Sequence, residues 1–170
     1  MKKIITLILA AIFPLLALAQ NSAIDKVFKK YENREGFTVV TISKGLMKLV
    51  ANADDDRESQ EFLSRIHEIK ILADEDHKGG VNLYDEILSQ LDKKDYEELM
   101  TAKSSDEEVL MLAKKNGDIV EELIILVGGK EDNALVFLSG KLNMKDLSKL
   151  STSMNIQGAG FEHLKDIDKQ

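Results

Sequence analysis

The chain has 170 residues, 44% hydrophobic and 31% charged, with 30 acidic against 23 basic side chains, a formal charge of −7 and no cysteine. That length supports one domain with a sizeable core, and the acidic balance argues against nucleic-acid phosphates or anionic lipid as partners. The missing thiols exclude disulfides, a cysteine nucleophile and a lipid-modified N-terminal cysteine.

Residues 1–19 are predicted to be a cleavable signal peptide. Lys2 and Lys3 make the positive start, residues 4–16 the apolar stretch and Ala17-Leu18-Ala19 a small-x-small cleavage site. The apolar run is shorter than the ~20 residues a bilayer needs, and Pro14 interrupts it. Cleavage leaves Gln20 first and 21 basic against 30 acidic residues, a net of −9. With no second run of spanning length and no cysteine to lipidate, the chain is expected to be periplasmic or secreted, with no integral membrane segment after cleavage.

A helix is predicted over 22–33, where Ile24, Val27, Phe28 and Tyr31 recur at i, i+3, i+4, i+7 behind a Ser22-x-x-Asp25 cap. Gly36 ends it, and the β-branched run Phe37 to Ile42 reads as a strand. Ser43 caps a second helix whose apolar side is Leu46, Met47, Leu49 and Val50. After a polar break from Asn52 to Glu58 come a short helical stretch with Phe62, Leu63 and Ile66 and a second strand, His67 to Ala73. The charged loop Asp74 to Gly80 leads into a helical stripe of Val81, Tyr84, Ile87, Leu88 and Leu91 that ends near Lys93.

Tyr96 to Lys103 alternates as a strand does. Glu107 to Lys115 carries both helix-end signals and, directly after it, Asn116-Gly117, the strongest short hairpin turn; the hairpin reading is preferred, with Asp118 to Val127 as its second arm. Residues 128–133 make another turn before Ala134 to Leu138. Five apolar residues in a row, Leu123 to Val127, suggest a central strand covered on both faces. Asn143 to Asp146 caps a last helix striped by Met144, Leu147, Leu150 and Met154, and a tail follows over 157–170. Residues 20–156 thus read as a single α+β domain with a mostly antiparallel sheet, a C-terminal meander and helices packed mainly on one face.

Chemistry-bearing patterns are weak. Asp74, Asp76, Gly79 and Asp85 sit at positions 1, 3, 6 and 12 of the calcium-loop spacing, but Lys78 occupies position 5, where an oxygen ligand is needed. Asp54-Asp55-Asp56 with Glu58 reads as a solvated helix start. His67, His77 and His163 lack zinc-ligand spacing, no serine lies in G-x-S-x-G or S-x-x-K, and Gly128-Gly129 lacks the G-K-[ST] of a phosphate loop. No catalytic, cofactor or metal residue is assigned.

The segments FTVVTISKGLMKLV, KGGVNLYDEILSQL, NGDIVEELIILVGG and ALVFLSGKLNMKDLSKL resemble a family of small exported proteins of Gram-negative envelopes, catalogued as domain of unknown function 4252. The resemblance implies an exported envelope protein, sometimes encoded beside sigma-factor regulation, and brings no activity and no site residues. The functional expectation is a non-enzymatic domain that binds an envelope protein or a small ligand; the alternative is a carboxylate- or metal-dependent hydrolase using the Asp54 and Asp74 loops.

Overall fold

The computed structural model describes residues 23–74, 81–129 and 133–147. The elements run α1 (Ala23–Tyr31), β1 (Phe37–Ser43), α2 (Lys44–Ala53), α3 (Arg57–Arg65), β2 (Ile66–Asp74), α4 (Leu83–Gln90), a 3-10 turn (Lys93–Asp95), β3 (Glu97–Lys103), β4 (Glu107–Asn116), β5 (Ile119–Gly129) and β6 (Asn133–Leu142), with one more helical turn at 144–147. The expected Ser22 cap and everything from 148 onward, including Leu150, Met154 and the tail, lie outside the described residues.

Helix starts follow the side chains that can accept from the first orphan amides. Ser43 Oγ accepts from Leu46 N at 3.5 Å, Asp56 from Ser59 N at 2.8 Å, Asn82 from Asp85 N at 3.1 Å and Asn143 from Asp146 N at 2.9 Å. Asp146 answers by accepting from Asn143 N at 2.9 Å, and Arg65 Nη1 donates to its two oxygens at 2.8 and 3.1 Å, which fastens the 144–147 turn to the end of α3.

The six strands among the described residues are all antiparallel, in the order β1-β2-β6-β5-β4-β3. Glu107–Asn116 is a strand, so the hairpin reading holds, with one displacement. Pairing closes at Asn116 opposite Ile119, so the two loop residues are Gly117 and Asp118, one place later than the Asn-Gly dipeptide. Gly117 takes φ +61, the left-handed value that the first loop position of a hairpin turn demands. Leu123 to Leu126 are buried from end to end, as a strand covered on both faces requires.

The helices do not gather on one face; they divide. On one side α1 (Ile24, Val27, Phe28, Tyr31) and α4 (Leu83, Ile87) pack with Leu110, Leu112, Ile124, Leu126, Leu135 and Phe137. On the other, α2 (Met47), α3 (Phe62, Leu63) and Leu147 pack with Met111, Ala113, Leu123, Ile125, Leu138 and Leu142. The alternation of β4 and β5 explains the division, because strands that are apolar on both faces leave half their side chains wet unless each face has its own helical layer. One further departure concerns α2, where only Met47 and Ala51 are buried. Leu46, Leu49 and Val50 remain exposed, by 48%, 68% and 47%.

Candidate functional site

Two places on the surface invite a functional reading. The first is a cleft of about 400 Å³ at one end of the sheet, lined among others by Asn82, Tyr84, Asp85, Lys103, Glu108 and Asn133. Tyr84 Oη donates to Glu108 Oε1 at 2.9 Å, and Lys103 Nζ sits 3.0 Å from Glu108 Oε2. Gly128 makes this possible: a Cβ there would fall 2.8 Å from Tyr84 Cβ, so the ring rests against bare backbone. Burial, then the neighbouring Glu108 carboxylate, pushes the Tyr84 phenol up to about 12. Lys103 and then the Tyr84 hydroxyl hold the Glu108 carboxyl below the usual glutamate range. At neutral pH the phenol is therefore neutral and the carboxylate charged, and neither is poised to exchange a proton.

The same arrangement occurs at every tyrosine in the chain. Tyr31 Oη donates to Glu86 Oε2 at 2.5 Å while Lys30 Nζ meets Glu86 Oε1 at 2.7 Å. Tyr96 Oη donates to Glu122 Oε2 at 2.6 Å, with Lys114 Nζ at 3.6 Å from Oε1. In each, an aromatic ring packs on the α1/α4 core and its hydroxyl is held by a glutamate that a lysine neutralises. Burial raises the Tyr96 phenol as well, followed by Glu122. Three repeats of one device, at three element junctions, mark it as a means of docking helices and strands rather than as reaction chemistry.

Among the described residues, the carboxylates of the two acidic stretches are placed on opposite faces of the sheet. Asp54 to Asp56 form the turn between α2 and α3, where Asp54 Oδ1 accepts from Asp56 N at 2.9 Å and Asp56 caps α3. Asp74, only 1% exposed, ends β2 with the parity of Lys70, whose ammonium lies over the Phe28 ring on the α1/α4 side, away from α2 and α3. Asp85 accepts from Asn82 Nδ2 at 2.7 Å. Asp76, His77, Lys78 and Gly79 lie outside the described residues, as does His163, and His67 is a half-buried residue of β2. Ser139 and Gly140 fall within β6 and Gly128-Gly129 ends β5. Among the described residues, no group of three or more His, Asp or Glu side chains is placed to hold a metal ion.

The second place is the β1 edge with α2 above it. β1, FTVVTIS, contains neither a charge nor a proline, and it pairs with β2 without a register shift. Among the described residues it has a strand on one side only. Val40, 42% exposed, points to the α2 side, and Leu46, Leu49 and Val50 extend the apolar surface along α2. None of the chemistry-bearing sequence patterns lies here, although the residues carry a signal. A ten-residue helix with Leu46, Met47, Leu49, Val50 and Ala51 has apolar residues on more than the one side it buries.

The family model described as a domain of unknown function (DUF4252) matches residues 31–150. The chain belongs to that family. The DUF4252 match begins at the last residue of α1 and takes in β1 to β6, the cleft and the α2 surface together. No curated protein and no solved structure matches the chain. Among the described residues of this DUF4252 protein, no helix is long and apolar enough to cross a membrane.

Proposed function

We propose that this DUF4252 protein is an exported envelope domain that works by binding another protein rather than by catalysis, with the β1 edge and α2 as its binding surface. The observation that carries this reading is the exposure of Leu46, Leu49 and Val50 beside an edge strand without charge or proline. Such apolar surface costs solubility, and a contiguous exposed patch marks an interaction site in a soluble domain. Export is supported by the signal-like residues 1–19, and a mature chain beginning at Gln20 is the corresponding product.

Two measurements test the reading. Intact mass of the product recovered from the envelope fraction of cells expressing the full chain should correspond to Gln20–Gln170; an unprocessed cytoplasmic chain would remove the export half. A photo-crosslinking amino acid placed at position 49 in the same cells should give discrete protein adducts, whereas one at Glu121, an exposed residue next to the β4–β5 turn, should give none. Absence of any protein adduct from position 49 would overturn the binding half.

A further inference from the structure

We infer that the occupant of the β1/α2 surface is a second copy of this chain, joined by antiparallel pairing of β1 with β1 about a two-fold axis at Val40. The inference rests on the protein-binding reading and names its partner.

Pairing centred on Val40 sets Val40 against Val40 and Thr38 against Ile42 on the α2 side, and Val39 against Thr41 and Phe37 against Ser43 on the other. No charge enters the seam, because β1 has none. Just beyond its ends the charges match: the chain carries Glu35 before β1 and Lys44 after it, and the antiparallel arrangement brings Glu35 of one copy beside Lys44 of the other.

The helical layer fits the same axis. α2 buries Met47 in the cluster that holds Ile42 of β1 with Ile66 and Ile69 of β2, which sets its axis between those two strands. With strands ~4.8 Å apart, adding β1 of a second copy sets the two α2 axes ~9.6 Å apart, within the ~8–10 Å of packed helices. α2 starts beside Ser43 and runs back toward the Phe37 end, so the paired helices are antiparallel, with Leu46 and Val50 on one flank of α2 and Leu49, opposite the buried Met47 and Ala51, level with the axis at the outer rim of the pair.

Charge on α2 runs against its own dipole: its first turn holds Lys44 and no acid, and Asp54 and Asp55 follow its last turn. Beside an antiparallel second α2, Lys44 of one copy approaches Asp54 and Asp55 of the other and both mismatches are relieved. An isologous interface of this kind uses one patch twice and closes, so it ends at a dimer rather than a fibre.

Sedimentation of the protein purified from the envelope fraction tests this. Over about 1 to 100 µM it should pass from monomer to dimer. Leu49→Glu, at a position too exposed to be needed for folding, should raise the dimer dissociation constant about tenfold or more. Val40→Lys, which sets like charges directly opposite at the axis, should do the same with the circular dichroism of the monomer retained. Glu35→Lys and Lys44→Glu should each weaken the dimer about threefold or more, and the two together should dimerise more tightly than Lys44→Glu alone, because the 35–44 pair is re-formed with its signs exchanged even though the approach of Lys44 to Asp54 and Asp55 is lost; damage to the monomer would not produce that gain. A monomer at every concentration overturns the second copy as partner while leaving adducts from position 49 to stand for a different protein. A dimer indifferent to Leu49→Glu and Val40→Lys overturns this surface as its seam.

Discussion

The two edges of the sheet are treated in opposite ways. β3, EELMTAK, carries Glu97, Glu98 and Lys103, and its register with β4 shifts between Glu98 and Met100. Glu97 is fastened to Lys115 at 2.6 Å, and Glu98 accepts from Thr101 Oγ1 at 2.6 Å. Charge and a bulge both discourage an incoming strand, because the first must be desolvated and the second twists the backbone out of line. β1 has neither safeguard, and the adjoining helix adds exposed leucines. Within one molecule, then, the guarded edge marks what solubility demands, and the open one marks where that demand has been set aside.

The largest expected effect asks whether the edges belong to one cooperative unit. Ile124 is fully buried in β5, which connects to β1 through β6 and β2 and to β3 through β4. Ile124→Ala should cost about 3 kcal/mol in urea unfolding, and amide-exchange protection in β1 and β3 should fall together; loss confined to one edge would divide the sheet into two units.

Next comes Tyr96, which leads into β3 and is hydrogen-bonded to Glu122 of β5. Tyr96→Phe should lower stability by about 1 kcal/mol and reduce protection more in β3 than in β1, a contrast readable by amide exchange. Equal loss at β1 would show that the guarded edge is not held locally.

A pH series sharpens the contrast further, because the cleft pair lies on the β3 side. The raised Tyr84 phenol stabilises the fold fully below its ordinary value of 10.0 and loses that contribution as pH rises through about 12. The lowered Glu108 carboxyl contributes fully above its ordinary 4.5 and loses its share as pH falls through the depressed folded value. Tyr84→Phe should flatten the alkaline limb of a plot of melting temperature against pH, and Glu108→Gln the acid limb. An unchanged alkaline limb in Tyr84→Phe would remove the assigned cause.

The smallest stability effect carries the most direct comparison. Replacing Glu97, Glu98 and Lys103 by glutamine removes exposed pairs worth about 0.5 kcal/mol or less each. It makes β3 resemble β1, and it should introduce concentration-dependent association by sedimentation even in a Leu49→Glu background. A strict monomer would show that the β3 bulge alone suffices as a guard.

Much of this architecture was legible in the residues, for identifiable reasons. Ser43 and Asn143 read as caps ahead of helical stripes and Asp56 lies in the acidic run that reads as a helix start, whereas the Asn82 cap is hidden inside a stripe that reads as beginning at Val81; Asn116-Gly117 outweighed the helical end-signals of Glu107 to Lys115 because a long β-rich arm follows it. The division of helices between faces was written in the same strand that read as covered on both sides, Leu123 to Val127, and was missed because helix order along the chain does not say which face each helix takes. Tyr96 with Glu122 and Tyr84 with Glu108 are brought together across 26 and 24 residues by sheet register, which no local spacing encodes. The β1 surface matches no motif, because its distinguishing property is a lack of charge.

The three tyrosine anchors also provide a means of observation. The chain has three tyrosines and no tryptophan, so its near-ultraviolet dichroism above the phenylalanine bands comes from Tyr31, Tyr84 and Tyr96 alone. Each ring is fixed at a different junction: α1 with α4, α4 with β4, and the start of β3 with β5. Phenylalanine at any two of the three positions leaves a single chromophore, so the loosening of each junction becomes separately visible without attaching a dye.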